Sequence, residues 1–256
     1  MENKSPKELV WDWSIRVFHW MFAGSVSMAL AIGLLVDDHS PLFEWHMLAG
    51  LTAGFLLLLR LLLFAVSSPS TSWRGLLGSL RGTPAFVRGL FSKQTSKLHA
   101  THNPLAWVVY LLMFGLLGGS VATGINMQID WAEDVHEFLA WGMLSMIAAH
   151  MLGLAVHTFR QRENIAGSMI HGRKRVATGT GIKSSRPILG LLIVATAAAF
   201  VFQLLGNYKK GAGQMQLPWL PVTVMLDEDG AEYGDGFSEG APWKTSDAHK
   251  EDDEHD

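Results

Sequence analysis

Five stretches of this chain are too long and too apolar for a water-soluble domain of its size. They run from about Ile15 to Val36, Phe43 to Val66, Leu105 to Met127, Val135 to Phe159 and Pro187 to Gly206. A hydrocarbon layer roughly 30 Å thick needs about 20 apolar residues per helix. Lipid leaves exposed backbone groups without partners, so segments of this kind span as helices. The expected fold is therefore an all-α membrane protein: a four-helix transmembrane domain over residues 1–175, a linker with a fifth C-terminal helix over 176–206, and an acidic tail over 207–256. No short apolar stretch near the N-terminus ends in a small-residue cleavage site, so no removable signal peptide is expected.

The charges lie between the spans and are segregated. The connection from Ser67 to Asn103 carries Arg74, Arg81, Arg88, Lys93 and Lys97 with no acid, and the segment after the fourth span carries Arg160, Arg162, Arg173, Lys174, Arg175, Lys183 and Arg186. Asp37, Asp38 and Glu44 lie in the first connection, and Asp130, Glu133 and Asp134 in the third. The positive-inside rule then places the N-terminus and both basic loops in the cytoplasm of a bacterial inner membrane, and the fifth span exports the tail to the periplasm. The long basic loop reads either as a short interfacial helix around Trp73 to Phe91 or as a plain polar connection. The tail ends in Glu251, Asp252, Asp253, Glu254 and Asp256 and is rich in Gly and Pro, a composition expected to stay flexible.

The chain has no cysteine, which excludes disulfides, iron–sulfur clusters, thiolate zinc sites and thioether-linked heme. It has eleven histidines, and ionisable residues within spans are costly enough to mark function. On the fourth helix, His136 and His150 are fourteen residues apart, nearly four turns, so they share a face about 21 Å apart along the axis. His19 lies about 27 Å below the outer end of the first helix, and His150 about 25 Å below the outer end of the fourth. His46 and His136 both lie near the outer ends of their helices. Matching by depth gives two pairs, His19 with His150 and His46 with His136.

Zinc or copper wants three or four ligands converging at one point, whereas these histidines form pairs most of a membrane apart. Two imidazoles per iron describe a noncovalent, six-coordinate heme, so the reading is a four-helix bundle holding two heme b with His19, His150, His46 and His136 as axial ligands. The alternative is that the four make hydrogen bonds between helices. Gly24, Gly50, Gly54, Gly142 and Gly153 suit either a porphyrin face or plain helix packing. His157 shares the face of His150 and is expected to hold a propionate or line a pocket. Arg16 and Arg60 lie near the cytoplasmic ends of their helices and either pair with propionates or snorkel to headgroups. His102, just before Pro104, reads as a quinone contact or as a capping histidine. Trp11, Trp13, Trp45, Trp131 and Trp219 flank spans and are expected in the aromatic belt. No catalytic residue is assigned.

The stretch Val10-Trp11-Asp12-Trp13-Ser14-Ile15-Arg16-Val17-Phe18-His19-Trp20 resembles the bacterial cytochrome b561 family, in particular the b-type cytochrome subunit of nickel–iron hydrogenases. So do His102-Asn103-Pro104-Leu105, Thr123-Gly124, His150-Met151-Leu152-Gly153 and Arg162-Glu163-Asn164-Ile165, continuing to Met169 and Gly172-Arg173-Lys174-Arg175. The resemblance covers about residues 10 to 175 and leaves out the fifth helix and the tail. It implies a four-helix bundle with two b hemes and a quinone site, and the same four histidines as ligands.

Together these features predict an electron carrier between quinone and a periplasmic redox protein. The acidic tail suits a lysine-rich c-type cytochrome, and the resemblance implies a hydrogenase-like partner. A stand-alone superoxide:quinone oxidoreductase ranks second, because the acidic outer surface repels an anion. A non-redox membrane anchor ranks third. Expected partners are lipid, quinone and the redox protein, with no nucleic acid, and self-association into a homo-oligomer is left open.

Overall fold

The computed structural model describes residues 7–38, 40–66, 104–161, 164–175, 179, 181–209, 214–218 and 223–225 of the chain. Its long helices are α1 (Trp13–Leu35), α2 (Glu44–Val66), α3 (Pro104–Gly124), α4 (Ala132–Gln161) and α6 (Pro187–Asn207), with a short α5 (Ile165–His171) after α4. The five long ones are apolar enough to cross a membrane, and the protein is a multi-pass membrane protein. Each expected span is there, with ends shifted by up to three residues. Two ends shift by three residues: α3 stops at Gly124 rather than Met127, and α4 begins at Ala132 rather than Val135. Glu133 and Asp134 interrupt the hydropathy but suit the positive end of a helix, so they belong to its first turn.

Local chemistry sets the helix starts. The carboxylate of Asp12 caps α1, accepting from the Ile15 amide at 2.9 Å and the Ser14 hydroxyl at 2.6 Å. Pro104 and Pro187 open α3 and α6, where a missing N–H costs nothing. Asn164 caps α5, and Gly172 closes it with a φ of 80°, a left-handed conformation that glycine takes without strain.

We call the end of the bundle where α1 starts the near end and the other the far end. Going round the bundle, α1 packs on α2, α2 on α3 and α3 on α4, while α6 lies across α1 and α2. Helices α1 and α4 do not pack closely against each other, which leaves a cleft between them. The core between α1, α2, α3 and α4 is built from Val26, Ala53, Leu57, Phe64, Trp107, Phe114, Leu117 and Met143.

A clasp at the near end joins the start of the chain to the segment after α4. Strand β1 (Lys7–Leu9) pairs antiparallel with β2 (Arg173–Arg175). The Val10 and Trp11 amides both donate to the Gly172 carbonyl, at 2.9 and 3.1 Å. Trp11 is buried and donates its indole N–H to the Ser168 hydroxyl at 3.1 Å, so it is a packing residue and not part of an aromatic belt. Trp13 also packs within the protein, since a side chain at Gly190 of α6 would run into its ring. Trp45 and Trp131, at the far end, are exposed as expected for belt residues, and Trp219 lies outside the described residues.

At the far end, the start of the expected flexible tail forms a small antiparallel sheet of β3 (Tyr208–Lys209), β4 (Gln214–Gln216) and β5 (Thr223–Met225). Met215 anchors it, buried against Leu48, Leu51, Phe200 and Leu204. The Tyr208 hydroxyl bonds Glu44 at the start of α2, and its pKa is pushed up to about 12 by burial, then by that bond and the carboxylate charge.

Candidate functional site: two histidine pairs at two levels

His46 sits in the first turn of α2, and His136 in the second turn of α4. Their ring centroids are 6.0 Å apart, with the planes at 73°. Each ring is held by the same device. His46 Nδ1 lies 2.8 Å from the Ala29 carbonyl, and a Cβ on Gly33, four residues further along α1, would meet that imidazole at 2.8 Å. His136 Nδ1 lies 2.9 Å from the Ser120 carbonyl, and a Cβ on Gly124, again four residues on, would meet that imidazole at 3.2 Å. In both places a glycine lets an imidazole lie against the helix and reach a carbonyl one turn back. Thr123 adds its hydroxyl 3.2 Å from His136 Nδ1, and Phe43 stacks on His46 with centroids 4.9 Å apart.

An Nδ1 that donates to a carbonyl puts the neutral ring's lone pair on Nε2, the tautomer a metal ligand needs. Between these two rings lies an apolar cleft lined from all four helices, by Val26, Ala29 and Leu30 of α1, Met47 and Gly50 of α2, Val121 of α3, and Ala140 and Met143 of α4. It holds about 640 Å³ of empty space, its open mouth included.

The second pair lies toward the near end. His19 and His150 are both half-buried and within electrostatic reach of each other across the space between α1 and α4. The structure thus brings together both pairs expected from depth. Among the described residues no three His, Cys, Asp or Glu side chains converge on a common metal position.

The glycines expected to matter divide into two groups. A Cβ on Gly24, Gly50 or Gly153 would meet nothing within 4 Å, so these face open space. Gly54 packs on Val121 and Gly142 on Leu116, as helix contacts. Gly33 was not expected, because nothing in its own helix marks it; its role comes from a ring on α2.

Of the remaining candidates, Arg16 donates to the Ile170 carbonyl at the C-terminal end of α5, while its Nε is buried without a hydrogen-bond partner among the described residues. Arg60 does not snorkel: it is 4% exposed, donates from Nε to the Tyr110 hydroxyl at 2.8 Å, and lies over the Phe64 and Phe18 rings. His157 is half-buried two turns beyond His150. His102 and the 67–103 connection lie outside the described residues.

No curated protein and no solved structure matches the chain. A sequence profile of one family, described as Prokaryotic cytochrome b561, matches residues 10–172, from the clasp residue Val10 to the αL cap at Gly172. That span takes in α1 to α5 and all four paired histidines, and with well over half of the chain matched, the protein belongs to the prokaryotic cytochrome b561 family, whose members are membrane b-type cytochromes.

Proposed function

We propose that this protein is a di-heme cytochrome b that carries electrons across a bacterial inner membrane, between the quinone pool and a periplasmic redox protein. One observation supports this reading above the others: the His46–His136 centroid distance of 6.0 Å, with each Nδ1 against a carbonyl. Two imidazoles that both held one metal ion, at metal–nitrogen distances of about 2 Å, would have centroids roughly 6 Å apart. The apolar cleft and the empty space beside Gly50 fit a flat macrocycle at this level, and Gly24 and Gly153 leave room nearer the other pair.

Heme, when bound, supplies a one-electron couple. The protein's own groups do the rest. Ala29 and Ser120 orient the far-end imidazoles and fix their tautomer. His19 and His150 would hold the near-end heme, and two histidines for each heme would favour electron transfer over oxygen chemistry. Core residues between the levels, Val26, Met143 and Leu117, are buried and apolar and would keep water out of that region. Arg16 and His157 would hold the polar edge of a near-end heme. The near end is cytoplasmic by the arginine and lysine count, and quinone would react on that side, with His102 of the basic connection as its expected contact. The far end is periplasmic, and its acidic residues with the acidic tail favour a basic partner such as a c-type cytochrome over a hydrogenase-like one.

Purified chain assayed by pyridine hemochrome should carry two noncovalent hemes with low-spin spectra. His136→Leu and His150→Leu should each lose one. A wild-type chain without heme, or loss of both hemes in each variant, would overturn the two-level assignment.

A further inference from the structure

Past α6 the chain turns back onto the far end of the bundle. Asn207, the last residue of α6, donates its side-chain amide to the Gln216 carbonyl of β4 at 3.2 Å. The Tyr208 hydroxyl of β3 is hydrogen-bonded to Glu44, the first residue of α2. Between these two ties, Met215 is buried against Leu48, Leu51, Phe200 and Leu204.

Two residues of this packing are also walls of the cleft between His46 and His136. Leu51 of α2 and Ile125, just past the end of α3, line the cleft, and both also belong to the apolar group that receives Met215. They stand on either side of the seam between α2 and α3, which is less closely packed than the seams of α1 with α2 and of α3 with α4. That seam lies across the bundle from the gap between α1 and α4. The sheet therefore stands behind the opposite wall of the cleft, where one layer of side chains separates the two. The apolar layer around a redox site sets its solvent access and local dielectric, and with them its potential. Ferric heme carries one more positive charge than ferrous heme, and a dry site disfavours the more charged state, so excluding water raises the potential.

We propose that the β3–β5 sheet, through Met215, is the outer layer of the His46–His136 site: it keeps water out of the cleft and holds the potential of the far-end heme up. Met215 is not among the residues that line the cleft; it is a positioning residue that acts through Leu51 and Ile125. The family profile stops at Gly172, so this layer is supplied by the part of the chain that lies beyond the matched domain. The effect on potential rests on the di-heme reading, whereas the exclusion of water does not.

The test compares the full-length chain with Met215→Ser, which puts a hydroxyl into the apolar group, and with Met215→Leu, a swap of similar volume that cores tolerate. In spectroelectrochemical titrations Met215→Ser should lower one of the two midpoints and leave the other in place, and Met215→Leu should match the wild type. In a His150→Leu background, which keeps only the far-end heme, Met215→Ser should still lower the remaining midpoint. A second readout needs no heme. The chain has no cysteine, so Ala53→Cys places a single thiol at a fully buried position on the cleft wall. Met215→Ser should speed its reaction with a water-soluble maleimide several-fold, and Met215→Leu should not. Unmoved midpoints, equal shifts in both, or loss of both hemes in Met215→Ser overturn the proposal, and so does a labelling rate that Met215→Ser leaves unchanged. A wild-type chain with fewer than two hemes defeats the di-heme reading instead, and the labelling rates still decide whether the sheet keeps water from the cleft.

Discussion

Replacing Gly33 with alanine gives a sharp test of the far-end site, because its expected effects have opposite signs. Alanine is favoured over glycine inside a helix by about 1 kcal/mol, so α1 itself should gain. The added Cβ would sit 2.8 Å from the His46 ring. Carbon contacts settle at about 3.5–4.0 Å, so the imidazole must retreat by roughly 1 Å. Its Nδ1 is now 2.8 Å from the Ala29 carbonyl, and such a retreat takes the pair beyond the roughly 3.2 Å limit of a good hydrogen bond. Losing the group that orients a metal-bound histidine weakens binding by about 10–100-fold, or about 1.4–2.7 kcal/mol. The assay is heme retention: one heme of the two should transfer to apomyoglobin at least ten times faster than in the wild type. The other heme should be unaffected, and the thermal stability of the stripped chain should not fall. Gly118→Ala is the control, because its Cβ would meet Leu57 at an ordinary 3.7 Å. A Gly33→Ala protein that holds both hemes as tightly as the wild type would refute the reasoning.

Gly124→Ala applies the same pressure to His136 more gently, with a contact of 3.2 Å. Its heme transfer should therefore accelerate less than that of Gly33→Ala, and the reverse order would contradict the geometry. Ser168→Ala removes the acceptor of the buried Trp11 indole and should cost about 1–3 kcal/mol, read as a lower Tm of the purified protein. Tyr208 should ionise near pH 12, two units above a free phenol, in the difference between ultraviolet titrations of wild type and Tyr208→Phe. Its raised pKa favours the folded state below about pH 10, and that stabilisation disappears as pH climbs through 12. A normal titration would show that the bond to Glu44 does not persist in solution.

The parts of this architecture readable in advance were those written along a single helix. Span length and hydropathy are local properties, and the depth of a histidine follows from its position on its own helix. That was enough to pair His46 with His136 and His19 with His150. What could not be read depends on contacts between elements. Gly33 looks like any membrane glycine until the His46 ring lies on it. Trp11 has the composition and position of a belt residue, but it turns inward because Ser168, far along the chain, offers an acceptor. Arg60 resembles a snorkelling arginine, and its burial depends on Phe18 and Tyr110 from two other helices. The sheet that starts the tail rests on Met215, with Tyr208 and Leu217 beside it, and the acidic residues further along the tail hide this apolar stretch in a composition average.

The strand pairing between residues 7–9 and 173–175 turns the four-helix unit into a book bound along one edge. The two covers, α1 and α4, scarcely touch along their length, so the binding at the near end and the intervening helices α2 and α3 fix how far apart they stand. A cover hinged at one edge moves least beside the spine and most at the opposite margin. His19 and His150, which stand on the two covers toward the spine, therefore have their spacing set by that binding.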